Sequence, residues 1–184
     1  MKYRQYDHKK DKKAVQRIWY EIGWLEKGKE EVVNLHIKSG RSIIAKIDNE
    51  AECFATAVPG SIRYLNEELP FSGITGVATS RIARKQGLAK QLTAMIVAIE
   101  ASEGALVSGL GVFEQGYYNQ IGFGTGSYEH FIAFDPSQLN IRIKPRLPRR
   151  ITTDDWAMVH SARLARFRSH GSCNLNPPEI TKAA

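Results

Sequence analysis

Apolar positions along this chain change their period several times, and each change marks an element. Val15, Ile18, Trp19 and Ile22 recur at the i, i+3, i+4, i+7 spacing of one helical face, in a helix that begins near Asp11 and weakens at Gly23. Residues 2–6 read as a short opening strand. Residues 30–38 read as a second helix with Val33 and Ile37 inward and Gly40 as its stop. The period then falls to two over residues 42–47 and 51–58, which flank Asp48-Asn49-Glu50 as a hairpin. Residues 61–65 extend the second strand beyond an interruption at Pro59-Gly60. The polar stretch 66–70 turns the chain into a third strand, 71–79, so that the three strands form an antiparallel meander.

Helical spacing returns at Gly87. Leu88, Leu92, Met95, Ile96 and Ile99 make one apolar stripe, Ala89, Ala94 and Ala98 favour the helix, and Gly104 ends it. Residues 105–110 are a short apolar run of the kind found in buried parallel strands. Residues 114–121 read as a short helix carrying Tyr118, and 127–134 as a late strand closed by Asp135-Pro136. Pro145 and Pro148 bracket an arginine-rich linker. Thr152-Thr153-Asp154-Asp155 has the character of a helix cap with acid groups in the first turn. The helix it opens runs to about Arg168, with Trp156, Val159 and Phe167 near one face and Gly171 as its end. No periodic pattern continues to Ala184. The chain thus divides into an α/β domain over 1–140 and a basic linker, helix and irregular tail over 141–184. The domain is a mixed sheet with a parallel pair at its middle.

Composition narrows the class. At 184 residues, 42% hydrophobic and 24% charged, the chain suits one globular core. No apolar run reaches the roughly 20 residues of a membrane helix, and no apolar core follows Met1 as in a secretory signal. Cys53 and Cys173 are far apart and outside any metal-spaced cluster, so both read as free thiols in a reducing, cytoplasmic setting, and no metal is expected. The net charge of +7 is uneven. Arg142, Lys144, Arg146, Arg149, Arg150, Arg163, Arg166 and Arg168 crowd one segment against Asp154 and Asp155. That crowding fits either an anionic partner such as nucleic acid or a solvated or subunit-facing surface. No nucleic-acid motif accompanies it, which favours the second.

The chemistry concentrates between Gly76 and Ala89. An apolar strand ending at Thr79 leads into a basic turn with Arg84, Lys85 and Gln86, and Gly87 opens a helix. The first amides of a helix lack internal partners, and its dipole adds positive potential there. A glycine also lets an anion approach the backbone. The segment Arg84-Lys85-Gln86-Gly87-Leu88-Ala89 fits R-x-x-G-x-A, and neither the dinucleotide nor the NTP glycine motif fits. It resembles the acetyl-CoA loop of the GNAT acetyltransferase superfamily. Downstream, Tyr118-Asn119-Gln120-Ile121-Gly122-Phe123 resembles the Y-x-x-x-G-F/Y segment of the same superfamily. Glu114 and Gly124 match the places of a glutamate and a glycine in its Eis-like (enhanced intracellular survival) branch.

The resemblance implies the GNAT acyl-CoA N-acyltransferase fold, with splayed central parallel strands that hold the pantetheine arm. It implies an acetyl-CoA donor and an amine acceptor, either a small molecule or a peptide, with a CoA-binding domain of little or no catalysis as the alternative within the fold. Arg84, Lys85, Gln86, Gly87, Leu88 and Ala89 would bind the pyrophosphate, largely through backbone amides. Val77, Ala78 and Thr79 would line the arm, an amide near Val77 would polarise the thioester, and simple sheet pairing is the alternative for Val77 and Thr79. Tyr118 would protonate the leaving thiolate, with Tyr117 as its neighbour and packing over the sheet edge as the plain alternative. Glu114, four residues earlier on the same helical face, is either the base or a structural carboxylate. Trp24 reads either as core or as border of the acceptor site, and Glu26, Glu30, Glu31, Glu67 and Glu68 either draw a cationic acceptor or simply solubilise. Arg81 stands where the family often has proline, and would add charge near the phosphates. Eis-like chains are much longer. The expectation here is a short form, a fragment, or a domain that associates with other copies through surface a second domain would cover.

Overall fold

The computed structural model describes residues 2–112, 116–126, 132–140, 142, 144 and 146–184. Strand β1 (Lys2–Gln5) leads into α1 (His8–Glu21), where the Asp7 carboxylate accepts the backbone N–H groups of Lys9 and Lys10 and so caps the helix. That cap sets the start three residues before the expected Asp11. Helix α2 (Glu30–Lys38) follows with Glu30 and Glu31 in its first turn, and buries Val33 and Ile37 as predicted.

Strands β2 (Arg41–Ile47), β3 (Glu50–Tyr64) and β4 (Glu67–Thr79) form the antiparallel meander, and β1 pairs with β2. Two of the expected boundaries move. β3 runs through Pro59-Gly60 without a break, and the turn before β4 shrinks to Leu65-Asn66, with Leu65 at φ +51°. The predicted two-residue alternation in polarity is also absent from the middle of β3. Glu52 to Val58 are all buried, because both faces of the sheet are covered. On one face Ile44, Phe54 and Ala78 meet Val15, Ile18 and Trp19 of α1 and Val33 and Ile37 of α2. On the other Ile43, Ala45, Cys53 and Ala55 meet Leu88, Leu92 and Ile96 of α3 (Leu88–Ser102). Successive strand residues thus feed opposite cores.

Strand β5 (Val107–Gly109) pairs parallel with β4, but only at Phe71, Ser72 and Gly73. Among the described residues it is the edge strand next to β4 in the order β1-β2-β3-β4-β5. Most of the late strand expected at 127–134 lies outside them, and residues 132–134 are not in a strand.

The C-terminal part is more ordered than its pattern suggested. Thr152 and Asp155 form a capping box around the 3-10 turn Thr153–Asp155, and α4 (Trp156–Ala165) follows. The helix stops at Ala165 rather than near Arg168, since Arg166 takes an extended ψ of 145° and Phe167 stands in solvent. Beyond it, β6 (Cys173–Leu175) pairs with Gly60, Ser61 and Ile62 of β3, and α5 (Pro178–Ala183) packs on α2. β3 outruns β2, whose pairing ends at Ala57, so β6 covers the strand edge left over. Gly60 is required there, because a Cβ would fall 2.1 Å from the Asn174 carbonyl oxygen. A three-residue strand carries too little periodicity to be read from sequence.

Candidate active site

Past Gly73 and Gly109 the parallel strands β4 and β5 stop pairing, and a cleft of about 1260 Å³ opens beside β4. Thr75, Gly76, Val77, Ala78 and Thr79 form its floor. Here β4 bulges. Phe54 faces Ala78 and Thr56 faces Thr75, so Gly76 and Val77 together oppose Ala55. Gly76 sits at φ +63° with Trp19 and Phe54 packed around it, where a Cβ would come within 3.1 Å of the Trp19 ring. The bulge re-aims the backbone of the residues that follow. Their outer N–H and C=O groups have no strand partner among the described residues.

The loop after β4 starts with the 3-10 turn Arg81–Ala83 and ends at Gly87, the N-cap of α3. Lys85 (φ +62°) and Gly87 (φ +76°) are both left-handed, which folds the loop tightly against the helix start. Gly87 offers no capping side chain, so the first-turn amides of α3 keep their outward donors. Around Gly87 the space is open. Arg84, Lys85 and Lys90 line the cleft, and Arg84 and Lys85 have no ion-pair partner among the described residues. Unspent cations, free helix-start amides and an unobstructed glycine suit a pyrophosphate.

Of the residues singled out in sequence, Val77, Ala78, Thr79, Arg84, Lys85, Gly87, Leu88, Ala89 and Tyr118 line this one cleft. Gln86 does not. Its side-chain amide turns back to the Ile82 carbonyl at 3.4 Å, since the left-handed turn at Lys85 folds it over the preceding 3-10 turn. Arg81 is also spent elsewhere. Its Nε–H donates to the Glu21 carbonyl and its backbone N–H to the Glu21 carboxylate, so its charge sits at the C-terminal end of α1. Glu114 lies outside the described residues. Over 116–121, Gly116 at φ +93° and a 3-10 turn over Tyr118–Ile121 stand where a continuous helix was expected.

Tyr118 is half-buried, edge-on to Tyr117 at 5.0 Å and to Phe123 at 5.9 Å between ring centres. Burial, with the Cys53 thiol nearby, raises its pKa, so the phenol stays protonated at neutral pH. Tyr117 lines the same cleft and is raised for the same first reason. Cys53 lies beneath the floor, 3.2 Å from the Thr79 hydroxyl, and burial pushes its thiol up to about 11.

The opposite wall comes from α1, α2 and the loop between them: Trp19, Ile22, Trp24, Val32 and His36. Trp24 is therefore a wall residue, edge-on to Trp19 at 5.7 Å. The Trp19 indole N–H is buried without a hydrogen-bond partner among the described residues. Nearby carboxylates are engaged: Glu26 with Lys29, Glu30 with Tyr20, and Glu31 with Asn34. His36 and Thr75, hydrogen-bonded to each other at 3.2 Å, were not read from the sequence as site residues. His36 stands beside the inward position Ile37, and only the fold brings it over β4. Among the described residues no His, Cys, Asp or Glu cluster could hold a metal ion, and no helix is long and apolar enough to cross a membrane.

Comparison with known proteins agrees with this geometry. Residues 7–126 match the family model of the acetyltransferase (GNAT) domain. No curated protein sequence matches the chain. Among solved structures, Eis1 from Mycobacterium abscessus superposes with a TM-score of 0.68 at 14% identity, over 99% of this chain and 47% of that one. A probable N-acyltransferase of unknown function from Enterococcus faecalis gives 0.59 at 18% identity, over 65% and 31%. A GNAT family acetyltransferase from Brucella melitensis, in complex with acetyl-CoA, gives 0.53 at 16%, over 74% and 96%. The likeness at these identities is one of fold, and the chain spans about a third of the Enterococcus protein and about half of Eis1. With a matched domain over most of its length and the splayed β4–β5 cleft of that fold, the chain belongs to the GNAT acetyltransferase family.

Proposed function

We propose that this protein transfers an acetyl group from acetyl-CoA to a primary amine by direct attack within a ternary complex. The observation that carries the reading is the single cleft running from the open helix start at Gly87, along the bulged strand Thr75–Thr79, to Tyr118. The amides of Gly87, Leu88 and Ala89, with Arg84 and Lys85, hold the pyrophosphate. The unpaired outer edge of Val77, Ala78 and Thr79 takes the amides of the pantetheine arm, as an added strand would. An N–H beside the bulge polarises the thioester carbonyl and stabilises the oxyanion. Tyr118, kept neutral by burial, gives its proton to the departing thiolate.

Direct attack is favoured over a covalent enzyme intermediate because Cys53 is inaccessible and its thiol is held neutral. The acceptor amine enters against the Trp19, Trp24 and His36 wall, which carries no free carboxylate among the described residues. The test is steady-state release of free CoA thiol over a panel of small, polycationic and peptide amines. With an accepted amine, Tyr118→Phe is expected to lower kcat by about tenfold to a thousandfold while leaving acetyl-CoA affinity unchanged. Unchanged turnover removes Tyr118 from the mechanism.

A further inference from the structure

The half-buried imidazole of His36 is the one histidine lining the cleft among the described residues, and the transfer reaction as described above gives it no task. It projects from α2 across to β4, where Nε2 lies 3.2 Å from the Thr75 hydroxyl oxygen. Thr75 is the last residue of β4 in register before the bulge, so it directly precedes Gly76 and Val77, whose backbone the acetyl-transfer reading sets against the thioester carbonyl. The Trp19 ring packs edge-on to the imidazole at 5.7 Å and holds its plane. Trp19 is itself locked between Phe54 and Trp24.

We propose that His36 and Thr75 form the proton-accepting dyad for the attacking amine, a role that rests on the acetyl-transfer reading above. As the amine nitrogen bonds to the acetyl carbon, it becomes acidic. Its N–H bond breaks and the proton passes to Thr75 Oγ1, while the proton of Thr75 passes to His36 Nε2. The adduct collapses, the C–S bond breaks, and the thiolate takes its proton from Tyr118. Solvent then carries one proton from the imidazolium to the tyrosinate, which restores both groups and leaves amide and thiol.

Two further observations suit His36 to the task. Burial alone lowers its pKa, so the ring is neutral and able to accept a proton at pH 7. No ionisable group contributes to that shift, neither those on α1 and α2, such as Glu21, Glu30, Glu31 and Lys38, nor Glu179 and Lys182 on α5, nor Arg84, Lys85, Lys90, Tyr117 and Tyr118 in the cleft. Among the described residues the base therefore has no fixed ion-pair partner holding it charged. A serine–histidine pair works by the same division of labour, with the hydroxyl contacting substrate and the ring storing the proton.

The test is the pH profile of kcat/KM for wild type, His36→Gln, Thr75→Val and Thr75→Ser, each checked for its unfolding temperature and acetyl-CoA Kd. The expected result has three parts. Wild type shows an acid limb with a midpoint below 6.5. His36→Gln and Thr75→Val lose at least tenfold in kcat with Kd unchanged, and His36→Gln loses the acid limb. Thr75→Ser, which keeps the hydroxyl, recovers most of the rate. An active wild type whose rate and limb survive both His36→Gln and Thr75→Val overturns the dyad alone. Should His36→Gln not fold, undiminished turnover by Thr75→Val overturns the dyad. A wild type that binds acetyl-CoA but acetylates no amine overturns the dyad together with the transfer reading.

Discussion

Arg84 and Lys85 in the loop before α3 crowd Lys90 in its first turn, and Arg163, Arg166 and Arg168 crowd the end of α4, so the two stretches look alike as charge. Their use differs. The loop cations face a cleft, and Arg84 and Lys85 have no ion-pair partner among the described residues. The tail arginines are struts. Arg163 donates to the Leu175 carbonyl at 2.7 Å, Arg166 to the Cys173 carbonyl at 3.1 Å, and Arg168 to the Ser61 carbonyl at 3.1 Å and to Glu68 at 2.5 Å. Together they fasten β6 to the free edge of β3. A run of basic residues marks a binding surface only when its donors are left unspent, and sequence does not reveal that. Arg142, Lys144, Arg146 and Arg150 are exposed and lie in neither arrangement.

This contrast can be broken at three places. The largest effect is expected from Arg168→Ala, which removes the Ser61 bonds and the Glu68 pair. Stability should fall by about 2 kcal/mol, or roughly 4–8 °C in unfolding temperature for a chain of this size, with acetyl-CoA affinity unchanged. An equal loss of affinity would mean that the tail belongs to the site. Next comes the double variant Arg84→Ala/Lys85→Ala, whose acetyl-CoA Kd should rise about tenfold and whose binding should become less sensitive to salt. Its unfolding without ligand should change by less than about 0.5 kcal/mol, the reverse of the Arg168 result. The smallest effect belongs to Arg146→Ala/Arg150→Ala, below about 0.5 kcal/mol in stability and without effect on Kd. A clear change there would show that the linker holds a contact of its own.

The long segments were legible from sequence in kind and order, α1, α2, α3 and the β2–β4 meander, while the start of α1, the end of β3 and the start of β4 moved. The conformation of the Arg84–Gly87 loop was legible too, because a glycine next to basic residues at a helix start leaves a local signature. What escaped depends on partners distant in sequence. β6 exists because β3 outruns β2. Arg81 serves α1, because Glu21 reaches its backbone across the chain. Gln86 matched the motif but turns away because Lys85 is left-handed, and that is a property of the folded loop. His36 and Thr75 lie thirty-nine residues apart, and only the packing of α2 over the bulged strand joins them.

The central claim, that the β4–β5 cleft ending at Gly87 is an acetyl-CoA site, is tested most directly by thermal unfolding with and without acetyl-CoA, with ATP and NAD as controls. At about 100 times its Kd the donor should stabilise the fold by roughly 2.7 kcal/mol, a rise of about 5–10 °C. That rise should shrink in Arg84→Ala/Lys85→Ala at the same ligand concentration and persist in full in Arg168→Ala, measured from its own lower baseline. No rise with acetyl-CoA, or an equal rise with ATP or NAD, would contradict it.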